Sequence, residues 1–536
     1  MSTLRLDIES SSGTLFGPRL GKVSLQRDAE GSTLEILTPG LITSTSRGVV
    51  PHLSRNNVNA TAAICWVHVP FESFLEVSPP TPTLQPGAHP LHKYLGFRRD
   101  QHIVSTSLRD PSDDREMPAN GNGFANAYCL RGVRKVTPAD WRNWVVKMQP
   151  DIVTALTDVP FTAGPHSQKR MTKSLERSSA WLSDLLQPIS DTGVDTRRQR
   201  SILVHMAGGV IPTARKAFSL SLLETLYGKE AEAVKPLATL DEGVSGYTFD
   251  LVPLHKALSP TAAPIRSTHP PTLAATMAAL DPHVDLPTPE ASAKLVPLLH
   301  ASLSPLPQHK PRIAHSAASP HEMLLLIRDV GVDLFDAHWA QRAADIGVAL
   351  DFTFPAPNGG ADARADLGHN LYDTRYAHDF SPFADAFGTC ETNNDDKDTA
   401  RTTCPCIACS PPRLGTPLRH STVDGPYPAH APAPFTRAYA HHLLHTHEMS
   451  AHALLAAHNL AVLDAFFAGV RVVLAARPSA FAREVERFAE AYDGGLAVWA
   501  QARAAWAEVA LARGKGRMAR EKEKQEQDTL GTAVEL

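Results

Sequence analysis

Cys404-Pro-Cys406-Ile-Ala-Cys409 places three thiols on one tight turn. Three thiolates so gathered can face a single tetrahedral cation, and zinc is the usual occupant of such a set. The competing reading is a chance cluster of buried structural cysteines. Six cysteines in 536 residues are too few for a disulfide scaffold, and the spacing is that of metal ligands in a reducing compartment. A fourth ligand must come from elsewhere, and the following segment offers His441, His442, His445, His447, His452 and His458. His447-Glu448 with His452 mimics a metalloprotease HExxH motif, but the second histidine is one position too late. On a helix the two imidazoles diverge by about 140° instead of sharing a face. Three cysteines and one histidine would leave no open coordination position, so the ion would be structural and not a Lewis acid.

The rest of the chain must hold this turn in place. Hydrophobic residues make up 43% and charged residues 20%, a globular balance, and the net charge is −4. A nucleic-acid partner must therefore be met by a local basic patch and not by a uniformly basic surface. The first fifty residues alternate apolar and polar positions (TLRLDI, KVSLQR, TLEIL) and read as short strands in a meander. Thr137-Pro138 signals a helix start; that helix carries Trp141, Trp144 and Val145 and leads into the apolar strand QPDIVTAL. A second helix is expected from Gln168 to Leu186, with Met171, Leu175, Trp181 and Leu182 inward. The strand SILVHMAGGVIP and a helix around Ala217 to Leu226 follow. PRIAHSAASPHEMLLLIRDVGVDLFD then repeats strand, Ser-Pro-capped helix and strand, with Gly331 to Phe335 as the last. His315 and Ser316, ahead of that helix, read as packing and capping residues and not as a hydrolase pair. Alternating strands and helices over the first 350 residues suit a (β/α)8 barrel or a doubly wound sheet, and the pattern does not choose between them.

Four regions result. Residues 1–352 form the main α/β part with the N-terminal strands, although Leu254 to Pro311 is Pro- and Ala-rich and, while long enough to hold a helical pair, reads as largely irregular. Residues 353–403 read as a polar, poorly ordered insertion. Residues 404–512 hold the zinc-binding segment and C-terminal helices, and 513–536 form a charged tail. The N-terminus has no signal-peptide core, and no apolar run of membrane-spanning length stands out.

CPCIAC followed by FTRAYAHHLLHTHEMSAHALLAAHNL resembles the C-terminal zinc motif of the tRNA-guanine transglycosylases. In that family the fourth ligand is the histidine of a terminal His-Asn pair. The resemblance therefore implies one structural Zn2+ held by Cys404, Cys406, Cys409 and His458. TPGLITSTSRGVVPHL, DIVTALTD, KSLERSSAWL and GVDLFD are similar to further family segments. The fold so implied is a TIM-like (β/α)8 barrel with the zinc segment near its C-terminal end.

The family exchanges guanine at the tRNA wobble position for a modified base, using an aspartate nucleophile and an aspartate general acid/base. Asp336 fills the nucleophile position. Thr106 stands where the acid/base belongs, and Thr157 where an aspartate reads the guanine edge, although Asp158 is adjacent. Met206-Ala207-Gly208 and Gly246-Tyr247-Thr248 replace the family's Val-Gln-Gly and Gly-Gly-Leu. So altered a pocket resembles the non-catalytic branch of the family, with no catalytic residue of its own and Asp336 as a remnant. The resemblance implies a heterodimer with a catalytic paralogue, tRNA as the shared partner, and queuine insertion at position 34 of tRNAs with GUN anticodons (Asp, Asn, His, Tyr). It also implies a cytoplasmic location with peripheral association at the mitochondrial outer membrane. The rival expectation is an active transglycosylase using Asp336 with Asp110 or Asp158 as the acid. Arg437 and Arg471 are candidates for RNA contact or for packing.

Overall fold

The computed structural model describes residues 2–11, 13–27, 32–113, 115–160, 165–188, 201–259, 289–357, 364–385, 404–411 and 434–509. Eight parallel strands close into a barrel: β1 (Gly40–Ser44), β2 (Trp66–Pro70), β3 (Ile103–Ser107), β4 (Ile152–Thr154), β5 (Ser201–His205), β6 (Gly246–Asp250), β7 (Arg312–His315) and β8 (Leu334–Asp336). Each pairs with its sequence neighbours, and β8 closes on β1. Of the two architectures that alternating strands and helices allow, this is the barrel.

Side chains alternate across a strand, so each barrel strand sends every second residue inward. At the amino end the inward layer is apolar: Ile42, Trp66, Ile103, Ile152, Leu203, Ile313 and Leu334. These pack against Leu4, Leu6, Val23, Leu25 and Ile36 of the N-terminal strands, Ser2–Ser11, Arg19–Arg27 and Ser32–Thr38. That antiparallel sheet is the expected meander, and it plugs the base of the barrel. Two buried ion pairs clamp it there: Arg27 to Asp151 at 2.6 Å and Arg19 to Asp333. Two residues further along each strand the inward layer turns polar, with Ser44, His68, Ser105, Thr154, His205, Thr248, His315 and Asp336.

The outer helices start where the capping residues put them. Thr137 and Asp140 form a reciprocal capping box on Pro138–Met148. Ser167 caps Gln168–Leu186, on which Met171, Trp181 and Leu182 are buried and Leu175 is half-buried. The helix after β5 spans Pro212–Leu223, somewhat earlier than its sequence suggested. Ser319, not Ser316, caps Pro320–Val330. Part of the Pro/Ala-rich stretch is the helix Pro289–Leu303, and residues 260–288 lie outside the described residues.

After β8, helix His338–Asp345 leads to strand Val348–Leu350, which pairs antiparallel with Gly368–Asn370. Residues 364–385, read from the sequence as part of a poorly ordered insertion, carry that strand and bury Leu367, Leu371, Tyr372, Tyr376 and Phe383. Helices Arg437–His445, Met449–Ala476 and Phe481–Ala491 complete the C-terminal part. Met449–Ala476 corrects the expectation that no stretch has membrane-spanning length and apolarity: its 28 residues pass that test. Leu455, Leu460, Leu463, Phe467 and Val470 on it are nevertheless buried in the core, as expected of a core helix. Gly469 lets it approach the Phe354 carbonyl so closely that a Cβ would lie 1.7 Å from the oxygen. The charged tail lies outside the described residues.

Candidate metal centre and barrel mouth

The structure brings Cys404, Cys406, Cys409 and His458 together, all four buried. The Nδ1 of His458 lies 3.6, 3.5 and 3.6 Å from the three sulfurs in that order. On a tetrahedron with metal–sulfur bonds near 2.3 Å and metal–nitrogen bonds near 2.0 Å, the sulfur–nitrogen edge is about 3.5 Å. The three sulfur–nitrogen edges therefore match those of a tetrahedral ion. Left to themselves the thiols compete for protons: Cys406 and Cys409 push Cys404 upward, while Cys404 and Cys409 pull Cys406 down. A dication at the centre removes that conflict by holding all three as thiolates.

The other ring nitrogen of His458 donates to the Leu350 carbonyl at 2.9 Å, which fixes the tautomer that leaves Nδ1 free as a ligand. Asn459, fully buried, continues the attachment. Its Oδ1 accepts from Leu350 N at 2.9 Å, and its Nδ2 donates to the carbonyls of Val348 (2.9 Å) and Ala340 (3.2 Å). One His-Asn pair thus joins the cysteine turn, the long helix and the strand just past the barrel. The remaining histidine candidates go elsewhere. His441, His445 and His452 bond to the carbonyls of Leu371, Tyr372 and Ala344, while His442 and His447 are exposed.

Asp351, His369 and Asp385 also converge closely enough to hold an ion. The buried guanidinium of Arg437 reaches into this group, 2.9 Å from Asp385 and 3.6 Å from Asp351, with Asp379 at 3.3 Å. A cation is already in place, so the group is an ion-pair brace that pins residues 379–385 to the start of helix Arg437–His445. Arg437 is accordingly a packing residue. So is Arg471, which donates to the Pro39 carbonyl at 2.7 Å.

At the carboxyl end of the barrel a cavity of about 60 Å³ is lined by His68, Ser107, Arg109, Asp110, Thr157, His205, Thr248, Asp250 and His315, among others. Ligand pockets for drug-sized molecules run to roughly 300 Å³ or more. Asp336 sits beneath its rim, 2% exposed and not among the lining residues. One carboxylate oxygen accepts from Ser316 N at 2.9 Å and pairs with His315 Nδ1 at 3.5 Å, while the other faces His338 N at 3.4 Å. Burial alone would raise the Asp336 pKa; the His315 partner outweighs it and holds the carboxyl below its usual range. His315 is raised in turn against its own burial. His68, packed against it with ring centres 5.2 Å apart, is driven down to about 3 by burial and by the His315 charge. Neutral His68 spans the hydroxyls of Ser105 and Ser107, each at 2.9 Å. His315 is therefore a partner of Asp336 and not merely a packing residue. A carboxylate so stabilised and covered is a poor nucleophile.

The acid/base position is also emptied. Thr106 points away from the mouth into the outer layer, where its hydroxyl donates to the Val69 carbonyl at 2.8 Å. Ser107 lines the cavity instead. Asp158, weighed above as a substitute acid, does not line it; Arg170 at 2.7 Å, Arg177 at 2.9 Å and Asn120 at 2.8 Å enclose its carboxylate. Asp110 does line the cavity, but its Oδ1 is taken by the backbone and hydroxyl of Ser112. Thr157 is at the rim, while Met206 and Ala207 are buried in the core. Gly208, at φ +116°, brings the chain so near the start of the next helix that a Cβ would meet Arg215 backbone at 2.6 Å. Tyr247 turns outward to donate to Asp241 at 2.7 Å. His68 and His205, which sequence reading missed, carry no motif. Only their places two residues inward of Trp66 and Leu203 could have marked them.

A closed parallel barrel with a Cys3His cluster just beyond its last strand defines the class, and sequence comparison agrees with it. The family described as queuine tRNA-ribosyltransferase (TGT) matches residues 16–237 and 284–494, and the chain belongs to this family. Relatives named queuine tRNA-ribosyltransferase accessory subunit 2 align along most of both chains. The Drosophila persimilis protein is 25% identical over 463 residues, covering 85% of this chain and 86% of its own. That of Schizosaccharomyces pombe is 24% identical over 486 residues, covering 90% and 83%. That of Xenopus tropicalis is 24% identical over 488 residues, covering 85% and 94%.

Proposed function

We propose that this chain is the non-catalytic accessory subunit of a queuine tRNA-ribosyltransferase. Its catalytic partner would exchange guanine for queuine at position 34 of tRNAs with GUN anticodons, and the two would form a heterodimer. The observation that carries this reading is the contrast between the two sites. Cys404, Cys406, Cys409 and His458 keep their ligand atoms within 4.8 Å of one another, whereas the nucleophile position is locked under His315 and the acid/base position faces away from the mouth. The ion held by Cys404, Cys406, Cys409 and His458 is zinc, one per chain, with all four positions closed. Its role is to fasten the cysteine turn and the long helix to the end of the barrel, so that the surface they form is rigid enough to pack against a partner. The accessory-subunit relatives support the same reading through their names.

The test is reconstitution. This chain and a catalytic transglycosylase subunit should elute together at the mass of a heterodimer. Queuine incorporation by the mixture should exceed that of either chain alone by at least about tenfold. Separate elution and no stimulation would reject the proposal.

A further inference from the structure

Between β3 and the helix Pro138–Met148 the chain makes a hairpin, Ala125–Cys129 paired with Gly132–Val136. Its first residue lines the cavity, so the hairpin stands at the rim of the barrel mouth. Beside it begins the helix Gln168–Leu186. Arg177 ties the two together, donating to Asn120 O and Asn122 Oδ1, each at 2.9 Å, in the loop that leads into the hairpin. Exposed cations gather on this composite element: Arg131, Arg134 and Lys135 along both faces of the hairpin, Lys169 and Lys173 on the helix. Lys169 and Lys173 are one turn apart and project together. Among the described residues, none of the five is engaged by a carboxylate. Beneath them Asp158 balances only one of the two guanidiniums it binds, Arg170 and Arg177. Half-buried aromatic rings interleave with the charges, with Lys135 4.6 Å above Phe124 and Arg115, itself paired with Asp113 at 2.6 Å, 4.3 Å above Tyr128. In a chain of net charge −4 this concentration stands out.

We propose that the hairpin and the first two turns of helix Gln168–Leu186 form a landing surface for the sugar-phosphate backbone of RNA, which crosses the closed barrel mouth without surrendering a base to it. That the RNA is tRNA rests on the function proposed above. Unpaired lysines and arginines around partly exposed rings suit phosphates and stacked nucleotides.

The experiment measures fluorescence anisotropy of a labelled tRNA transcript with a GUN anticodon against the full-length chain over a salt series. Wild type is compared with a variant carrying Arg134→Gln, Lys135→Gln, Lys169→Gln and Lys173→Gln. The variant should bind at least about tenfold more weakly, with the slope of log K against log salt reduced by about 3. Its metal content and co-elution with the catalytic subunit should be unchanged. Wild-type affinity and slope in the variant, or no binding by the wild-type chain, would overturn the proposal. So would a variant that keeps RNA affinity but loses the catalytic subunit, since the face would then dock protein. Failure of the wild-type chain to pair with a catalytic subunit would instead reject the accessory function, a separate result.

Discussion

Replacing Asn459 with aspartate changes one atom type, yet the structure places that atom where a carboxylate cannot sit. Nδ2 of Asn459 lies 2.9 Å from the Val348 carbonyl and 3.2 Å from that of Ala340, in a position with no solvent access. In Asn459→Asp an oxygen faces two oxygens, so the folded protein must protonate the carboxyl. A buried carboxyl held neutral in this way has a folded pKa of 7 or above, against about 3.9 when unfolded. Holding the proton at pH 7 then costs roughly 3 units of 1.36 kcal/mol, or about 4 kcal/mol. Losing one of the two donated bonds adds about 1 kcal/mol, for a total near 5 kcal/mol. The sign follows from the raised folded pKa: the folded variant binds the proton more tightly, so its deficit shrinks as pH falls toward 3.9. Between pH 7 and pH 5.5 the gap to wild type should narrow by about 2 kcal/mol. Urea denaturation of both proteins at the two pH values, with zinc content measured at each, reads this directly. A gap below about 0.5 kcal/mol at pH 7, or one independent of pH, would refute the argument that Asn459 fastens the long helix to strand Val348–Leu350.

Three further outcomes are expected. Cys406→Ser and His458→Ala should each lose the metal and open residues 434–476 to limited proteolysis, whereas His447→Ala should keep one ion per chain. Elemental analysis with a protease time course decides this, and retention in His458→Ala with loss in His447→Ala would reverse the ligand assignment. Asp158→Asn leaves Arg170 and Arg177 facing a neutral amide and should cost about 3 kcal/mol at pH 7. Burial raises the Asp158 pKa, but its arginine and asparagine partners depress it further, so its stabilisation is full above about pH 4 and lost as pH falls through the lower folded value. Wild type and Asp158→Asn should therefore converge in denaturation curves taken below pH 4. Thr106→Asp should not create activity, because the side chain enters the packed outer layer; a soluble Thr106→Asp protein with base exchange would contradict the strand register.

Capping residues and periodicity made much of the scaffold legible. Thr137-Pro138 and Ser319-Pro320 mark helix starts because their side chains accept backbone N–H groups locally, with no help from the rest of the fold. The cysteine turn was legible for the same reason: its three donors are adjacent in sequence. Its fourth ligand was not legible from spacing, since six histidines share the following segment; the family's His-Asn pair pointed to His458, and that is the histidine the fold brings to the cysteines and to Leu350. The register of β3 was hidden because Ile103–Ser107 is buried on both faces, which erases the alternation that would have shown Thr106 pointing outward. The lock on Asp336 was hidden too, since His68, His315 and Asp336 meet only when the barrel closes. Residues 364–385 looked polar in sequence, yet their order comes from distant partners such as Arg437 and His458, against which Phe383 packs at 5.4 Å. The apolar character of Met449–Ala476 was masked by its alanines and histidines, of which Ala451, Ala456, Ala457 and His458 bury as fully as its leucines.

Base exchange by the purified chain alone tests the central claim most directly. Labelled guanine and a tRNA transcript with a GUN anticodon should give no incorporation above background, and Asp336→Asn should leave the stimulation of a catalytic partner unchanged. Incorporation by the chain alone that disappears in Asp336→Asn would show the carboxylate to be a working nucleophile and contradict the account.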